Sequence, residues 1–249
     1  MGISKIVGIS ATATLSLFIY LRGRLSPLLL FPLLHGSMVG FLAAIIAHPA
    51  VNLPLLFGKT TDGQFPWWSL VLFHPYLIPL RVYVGIRRMK SKEPVHSEVA
   101  PQLYVGGWPS SASDIPPGEP AVIDCTCELP KSSCVANLPY MCIPTWDSRA
   151  PRPQDIDVAV RWAAGKRSQN RPIFVHCAFG HGRSVAVMCA LLVTLGLAED
   201  WKDAAKTIKK CRPRIRMNVL QQRSLEEWSK TRLSTGRTSE PSNGSLLLR

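Results

Sequence analysis

The sequence predicts an α/β domain with a central, largely parallel sheet flanked by helices, preceded by an all-helical membrane region. In residues 93–231, short β-prone segments alternate with helix-prone segments, as in βαβ units. In residues 1–92, three apolar runs follow one another. The chain therefore divides into a membrane-anchoring region (1–92), an α/β domain (93–231) and a Ser/Thr/Gly-rich tail (232–249) that we expect to be disordered.

Charge is distributed unevenly between these parts. The 249 residues carry a net charge of +13. Residues 1–92 hold nine Lys or Arg and one acid, Asp62, whereas the rest holds twenty Lys or Arg and fifteen acids. No aromatic–basic interleaving or zinc-knuckle pattern accompanies the basic excess, so we expect no nucleic-acid partner. Attraction to an anionic membrane surface or to a phosphorylated substrate explains the basic excess better.

The anchoring region contains apolar runs at 6–21, 27–47 and 65–86. The first is slightly short for a bilayer, but Lys5 and Arg22 can extend to the interface. Its alternative is a cleaved signal or transit segment. The third run is interrupted by Pro75 and Pro79, and its aromatic residues suit either a span or a helix along the membrane surface. The sequence thus predicts two or three spans.

Loop charges favour three spans. Arg22 and Arg24 follow the first run, and a basic cluster at 87–92 follows the third. Three spans with a lumenal N-terminus place both clusters in the cytosol. The seven cysteines form no C-x-x-C pair and also favour a reducing compartment. We therefore expect a multi-pass integral membrane protein whose α/β domain faces the cytosol, where the Asn243-Gly244-Ser245 acceptor would stay unglycosylated.

The elements of the α/β domain follow from hydrophobic periodicity. Strands are expected at 103–106, 121–125, 139–143 and 172–176, and helices at 154–168, 185–195, 199–211 and 218–231. A Pro/Ser/Gly-rich loop separates the first two strands. A polar loop bounded by Pro144 and Pro151 follows the third strand and carries Asp147.

The most informative stretch is His176-Cys177-Ala178-Phe179-Gly180-His181-Gly182-Arg183-Ser184. A β-prone run enters it and an apolar, helix-prone run leaves it. Such a strand–loop–helix unit directs backbone N–H groups and a helix N-terminus at one small volume, which suits an anion. The same field would hold Cys177 as a thiolate, and Arg183 has a planar fork that matches two phosphate oxygens. The stretch predicts a phosphate-binding loop with a nucleophile at its floor.

This motif, His-Cys-x5-Arg-Ser, resembles the signature of the cysteine-dependent protein tyrosine phosphatases, and its surroundings look like the dual-specificity branch. The resemblance covers roughly residues 100–231. It includes Leu103-Tyr104-Val105-Gly106, the loop that carries Asp147, and the segment from Arg212-Pro213 to Gln222. It implies a phosphomonoester hydrolase that works through a cysteinyl-phosphate, without a metal or another cofactor.

The resemblance assigns a role to each residue of the motif. Cys177 would attack phosphorus, Ser184 would donate a hydrogen bond to the sulfur and ease its departure, and His176 would support the loop backbone. Backbone N–H groups and the Arg183 fork would bind the equatorial phosphate oxygens. The phosphate-binding residues are then Ala178, Phe179, Gly180, His181, Gly182 and Arg183.

A leaving alkoxide or phenoxide needs a proton. Asp147 is the candidate acid, because it lies thirty residues before Cys177 in a context similar to the movable acid loop of the family. Asp155 and Asp157 are the alternatives, although they belong to the following helix.

Three further side chains are expected near the loop. Asp124 would support the structure, and Glu128 would pair with Arg183 or with another arginine. Cys125 or Cys127 would either form a reversible disulfide with an oxidised Cys177 or pack in the core.

The substrate is left open between alternatives. The loop interior carries no Lys or Arg, which argues against an inositol polyphosphate, whereas the membrane region would hold the site near lipid headgroups. A dual-specificity protein phosphatase, acting on Tyr and Ser/Thr, is the first hypothesis. The alternatives are a membrane-lipid phosphatase, acting on a phosphoinositide or phosphatidylglycerophosphate, and a pseudophosphatase that only binds.

Overall fold

A computed structural model of the chain describes residues 2–238, with side chains through residue 232. Seven α-helices lie within this range: α1 (Ile3–Leu21), α2 (Pro27–Ile46), α3 (Trp67–Met89), α4 (Pro153–Arg167), α5 (Arg183–Thr194), α6 (Trp201–Cys211) and α7 (Val219–Thr238). The five strands are β1 (His96–Ala100), β2 (Leu103–Gly106), β3 (Ala121–Asp124), β4 (Tyr140–Cys142) and β5 (Ile173–His176).

The strands form one sheet in the order β1-β2-β5-β3-β4. Only β1 runs antiparallel to its neighbour, and the other three pairs are parallel. The predicted α/β class with a largely parallel sheet is confirmed. The sequence did not predict β1, because His-Ser-Glu-Val-Ala shows little β-pattern and the strand lies at the sheet edge with a register shift after Glu98.

The register brings three strand ends to one point. Gly106 of β2 and Asp124 of β3 both pair with His176, the last residue of the central strand β5. Every residue of β5 is buried, as are the first ten residues of α5. The segment from 177 to 182 therefore leaves the middle of the sheet at its carboxyl edge, where α/β folds place ligands.

The C-terminal segment differs from the prediction. Helix α7 is anchored by the buried residues Leu225 and Trp228 and continues to Thr238, so residues 232–238 are helical where disorder was expected. The remainder of the expected tail, including the Asn243 acceptor, lies outside the described residues.

Helices α1 and α2 form an antiparallel hairpin. The hydroxyl of Ser4 donates to the carbonyl of Ala44 at 2.7 Å, and that of Ser37 donates to the carbonyl of Ala11 at 3.1 Å. Gly40 lies so close to Ala11 that a Cβ at Gly40 would be 2.8 Å from the Ala11 Cβ. Small residues and interhelical hydrogen bonds of this kind are typical of packing between helices in membranes.

The linker between α2 and α3 packs on the α/β domain. The Nζ of Lys59 lies 2.7 Å from Oδ2 of Asp124 and donates to the carbonyl of Thr126 at 2.8 Å. The backbone N–H of Cys142 donates to the carbonyl of Thr61 at 3.1 Å. Part of the region assigned to membrane anchoring is thus bonded to the ends of β3 and β4.

These contacts do not fit the expected arrangement of three spans with a lumenal N-terminus, since three crossings would put the linker opposite the α/β domain. The N-terminus is also close to that domain, because Gly2 and Lys5 line one cavity with Arg149. By length and composition, α1, α2 and α3 can each cross a membrane. The sequence could not reveal the linker contacts, because they join residues far apart in the chain.

Candidate active site

The predicted nucleophile, Cys177, follows β5 at the meeting point of the strand ends. Its side chain is buried, and its backbone N–H donates to the carbonyl of Gly106 at 3.2 Å. This bond extends the pairing between β2 and β5 by one step and fixes where the loop begins.

The loop after Cys177 turns its carbonyl groups outward. Carbonyl oxygens that accept hydrogen bonds from outside the loop belong to Ala178, Phe179, Gly180 and His181. The buried guanidinium of Arg212 donates to two of them at 3.0 Å each. With the carbonyls outward, the N–H groups face inward, and that of Gly180 lies 3.3 Å from the Cys177 sulfur. The loop therefore has the anion-binding concavity that the sequence predicts.

Gly180 is the one residue of the loop whose type the backbone dictates. Its φ is +75°, and a Cβ there would lie 2.4 Å from the carbonyl carbon of Gly106. Both conditions exclude a side chain. The tight curvature of the loop thus depends on this glycine and its contact with the end of β2.

The environment of Cys177 stabilises a thiolate. Burial alone would raise the pKa of the thiol, but the charge of Arg183, the Ser184 hydroxyl and backbone N–H groups outweigh it and hold the pKa below its ordinary value. The Ser184 hydroxyl donates to the sulfur at 3.3 Å. The structure therefore brings together Cys177, Ser184 and Arg183 as expected.

The other buried cysteines are in environments that favour the neutral thiol. Burial raises the pKa of the thiols of Cys125, Cys127, Cys142 and Cys189. Cys125 shares a core cluster with Cys177, whereas Cys127 packs with Trp146 in a different cluster. A reversible disulfide with Cys177 stays a prediction. Cys125 is the better placed of the two candidates, because it shares a core cluster with Cys177.

Arg183 is buried and held by acceptors. Its two Nη atoms donate to the two oxygens of Glu128 at 2.8 and 3.0 Å, and Nη1 also donates to the carbonyl of Thr145 at 2.8 Å. Glu128 is therefore the partner of Arg183, which the sequence had left open. Such a bidentate pair fixes the plane of the guanidinium as well as its position.

Asp147 is the candidate acid that the structure brings to this site. Its Oδ1 lies 3.3 Å from Nη2 of Arg183, and its side chain is half exposed. The alternatives, Asp155 and Asp157, instead pair with Arg152 and Arg161 on α4. Asp147 is the one of the three that contacts Arg183.

The loop that carries Asp147 is held from two sides. Trp146 is buried against Phe57 of the linker, with ring centroids 4.7 Å apart. On the other side, the side chains of Asn218 and Gln221 donate to the carbonyls of Ser148 and Arg149 at 2.8 and 3.0 Å. The acid loop is thus positioned jointly by the anchoring region and the start of α7.

His176 and Asp124 lie below the loop. Burial lowers the pKa of His176, whose Nδ1 is 3.9 Å from Oδ1 of Asp124, so the ring is neutral. Burial alone would raise the pKa of Asp124, but Lys59 and hydrogen bonds lower it to about 2. Asp124 therefore stays charged and has the supporting position expected of it. The sequence did not suggest that Lys59 or Arg212 supports the site, because their partners Asp124 and Gly180 are 65 and 32 positions away in the chain.

Two loop side chains make contacts outside the pocket. His181 pairs with Glu93 at 2.7 Å between Nε2 and Oε2. The Phe179 ring packs under the guanidinium of Arg87 from α3, 4.6 Å from Cζ to the ring centroid. Within the part of the chain that the structure describes, no group of three or more His, Cys, Asp or Glu is arranged to hold a metal ion.

Comparison with known proteins agrees with this geometry. Residues 107–231 match the family model of the dual specificity phosphatase catalytic domain. A crystal structure of PTPMT1 in complex with PI(5)P is 17% identical with a TM-score of 0.52, covering 57% of this chain and 99% of that one. Tk-PTP in the active form is 20% identical with a TM-score of 0.50, covering 55% of this chain and 97% of that one. Human DUSP28 is 15% identical with a TM-score of 0.51, covering 56% of this chain and 99% of that one. These similarities show the fold. No curated protein sequence matches.

We predict that Ser184→Ala raises the pKa of Cys177, because the thiolate loses a hydrogen-bond donor. The thiolate fraction at neutral pH should then fall, and the pH profile of Cys177 alkylation, followed by mass spectrometry of its peptide, should move to higher pH. Ser168→Ala, which removes an exposed hydroxyl at the end of α4, is the control. Identical profiles for wild type and Ser184→Ala would contradict the contact.

Proposed function

Because this chain belongs to the dual specificity phosphatase family, we propose that it is a membrane-anchored phosphomonoester hydrolase that acts through a cysteinyl-phosphate on Cys177. The observation that carries this proposal is the position of the Cys177 sulfur. It lies under inward-facing N–H groups, 3.3 Å from the Ser184 hydroxyl and beside a buried Arg183. A site of this kind lowers the pKa of a nucleophile and binds an oxyanion in the same volume.

In the first step, the Cys177 thiolate forms a sulfur–phosphorus bond as the phosphorus–oxygen bond to the leaving group breaks. Loop N–H groups and Arg183 bind the equatorial oxygens, whose charge must be stabilised in the transition state. Asp147 lies on the Nη2 side of the guanidinium, so its carboxyl group is next to the bound phosphate and donates a proton to the leaving oxygen.

In the second step, the Asp147 carboxylate takes a proton from a water molecule that attacks phosphorus. The sulfur–phosphorus bond breaks and releases inorganic phosphate. The thiolate that leaves is the form that the Ser184 hydroxyl stabilises. Retention of the nucleophile, the buried arginine and the acid in one site disfavours a pseudophosphatase.

For the substrate class we propose phosphoproteins, with dual specificity for Tyr and Ser/Thr. The loop interior offers no Lys or Arg for additional phosphates, and its one ionisable side chain, His181, is already paired with Glu93. A membrane-lipid phosphomonoesterase is the second candidate. The contact between Arg87 of α3 and Phe179 of the loop favours it, because this contact places the pocket beside an apolar helix of the anchoring region.

For the membrane arrangement we propose that the α1–α2 hairpin spans the bilayer twice and that α3 lies along the membrane surface. One face of α3 is buried in the protein through Phe73, Leu77 and Val84. The opposite side exposes apolar residues, including Trp67, Val71, Ile78, Val82 and Met89. An exposed apolar face on a helix whose other face packs on the protein is typical of a surface that contacts a membrane.

The same arrangement favours a cytosolic α/β domain. Two arginines, Arg22 and Arg24, flank the far turn of the hairpin, whereas Lys5, Lys59 and five basic residues between 81 and 92 lie on the domain side. Short flanking segments with more Lys and Arg remain in the cytosol.

A substrate panel tests the proposed activity. Purified wild type in mixed micelles should release phosphate from phosphotyrosine and phosphothreonine peptides, and Cys177→Ser should reduce this to background because the hydroxyl of Ser is a weaker nucleophile. Hydrolysis of phosphatidylglycerophosphate or phosphoinositides alone would favour the lipid candidate. Activity that survives Cys177→Ser would refute the cysteinyl-phosphate.

We predict that Asp147→Asn slows hydrolysis of substrates with poor leaving groups by about 10²–10⁴-fold, the usual contribution of a general acid. An activated aryl phosphate, whose leaving oxygen needs little protonation, should be slowed less. Steady-state kinetics on alkyl and aryl phosphates measures both, and Asp155→Asn is the matched control. Equal slowing of both substrates by Asp147→Asn would point to another acid.

The membrane arrangement is tested with glycosylation acceptors carried in Gly/Ser extensions and expressed with microsomes. An acceptor inserted after Gly23 should be glycosylated, because the far turn of the hairpin is lumenal. A matched acceptor after Asp62 should stay unmodified, since the linker is on the side of the α/β domain. Three spans with a lumenal N-terminus require the reverse pattern.

A further inference from the structure

The start of α7 is connected to the end of α2 by two hydrogen bonds that share Arg149. Nη2 of Arg149 donates to the carbonyl of Ala47, the residue after α2, at 2.8 Å. Nε2 of Gln221, in the first turn of α7, donates to the carbonyl of Arg149 at 3.0 Å. Since Ser4 of α1 is bonded to Ala44 of α2, the first turn of α7 lies beside the end of the hairpin that also holds the start of α1.

A cavity of about 530 Å³ lies between this end of the hairpin and α7. Its lining residues include Gly2 and Lys5 at the start of α1 and Val219 and Leu220 of α7, and none of the residues that line it is acidic. Val219 and Leu220 are 60% and 40% exposed. Two adjacent apolar side chains at the start of α7 are thus open toward the base of the hairpin.

The segment around this apolar pair is strongly basic. Between Asp203 and Glu226 the chain has seven Lys or Arg and no acidic residue. Arg214, Arg216 and Arg223 are exposed, and within the residues that the structure describes none of the three forms an ion pair. Exposed apolar side chains flanked by unpaired cations are typical of surfaces that bind anionic membranes.

The same segment contacts both catalytic loops. The backbone N–H of Arg216 donates to the carbonyl of His181 in the phosphate-binding loop at 2.8 Å. The side chain of Asn218 donates to the carbonyl of Ser148 in the acid loop at 2.8 Å. The position of this segment relative to a membrane therefore also sets the position of the catalytic pocket.

We infer that the segment 214–223 docks on the anionic surface of the membrane that the hairpin spans. In the proposed arrangement the base of the hairpin lies at the level of the headgroups, so Val219 and Leu220 reach the interface there, and Arg214 and Arg216 bind lipid phosphates. A soluble acidic partner fits less well, because the apolar pair faces the point where α1 and α2 enter the bilayer. The inference rests on the proposed membrane arrangement, which the glycosylation test reports separately, so the two failures are distinguishable.

The test uses the full chain in lipid vesicles, with the environment-sensitive fluorophore NBD attached at Val219→Cys. Cys134→Ser, Cys177→Ser and Cys211→Ser leave the label one accessible thiol, because the other cysteines are buried. The vesicles contain phosphatidylcholine alone or with phosphatidylglycerol, and a nitroxide near the top of the acyl chains quenches a label that reaches the interface. Quenching should be about twofold stronger or more in the phosphatidylglycerol vesicles, because the lipid charge attracts the arginines.

A second label position and two charge variants provide the controls. A label at Gln169→Cys should stay unquenched in both vesicles, because this exposed residue precedes β5 at the opposite edge of the sheet from the catalytic loop. Arg214→Gln combined with Arg216→Gln should remove the difference between the two vesicles. Lys202→Gln, which removes an exposed charge at the start of α6, should preserve it.

The contrary outcomes are distinct. An unquenched label at position 219 in both vesicles would leave this surface free for a soluble partner and overturn the docking. Equal quenching in the two vesicles, or a difference that survives the double arginine change, would overturn the assignment to an anionic surface.

Discussion

The catalytic site is organised by a single buried cation. Arg183 is 2% exposed, so its donors need acceptors, and the fold supplies them for both Nη atoms. Glu128 supplies two oxygens after β3, and Thr145 supplies a carbonyl from the acid loop. The hydrogen bonds of Arg183 thus join three chain segments, which are the start of α5, the segment after β3 and the acid loop. The same charge stabilises the Cys177 thiolate. Arg183 therefore both holds the surrounding segments together and supports the nucleophile.

A second buried pair connects this site to the anchoring region. Lys59 reaches from the linker into the end of β3, where its charge keeps Asp124 ionised beneath His176. Removing one partner of a buried ion pair leaves an uncompensated charge and typically costs about 3–5 kcal/mol. The linker is therefore part of the support under the phosphate loop as well as a connection between helices.

The sequence predicted what depends on local pattern. The strand–loop–helix unit around Cys177 and the alternation of elements follow from spacing and residue type over short stretches. The candidate acid Asp147 follows from the resemblance of its loop to the acid loop of the family. The sequence could not predict that Glu128 pairs with Arg183, because that contact joins residues 55 positions apart on different elements. Lys59 and Arg212 were missed for the same reason. The contacts between the linker and the α/β domain, which do not fit three spans, could not be foreseen, because charge counting says nothing of which linkers bind the folded domain.

The anchor and the catalytic domain are better regarded as one folded unit than as two joined parts. Trp146, the neighbour of Asp147, is buried in a cluster that includes Phe57, Phe73 and Leu77 of the anchoring region. Without residues 1–92, this side chain would be exposed to water and Asp124 would lose its counter-charge. Since an acid catalyst must be held within a fraction of an ångström of its productive position, the contacts around Trp146 bear on the proposed chemistry. In the proposed arrangement, residues 1–92 have two roles, because they would hold the pocket at a membrane and they also contact Trp146 beside the proposed acid.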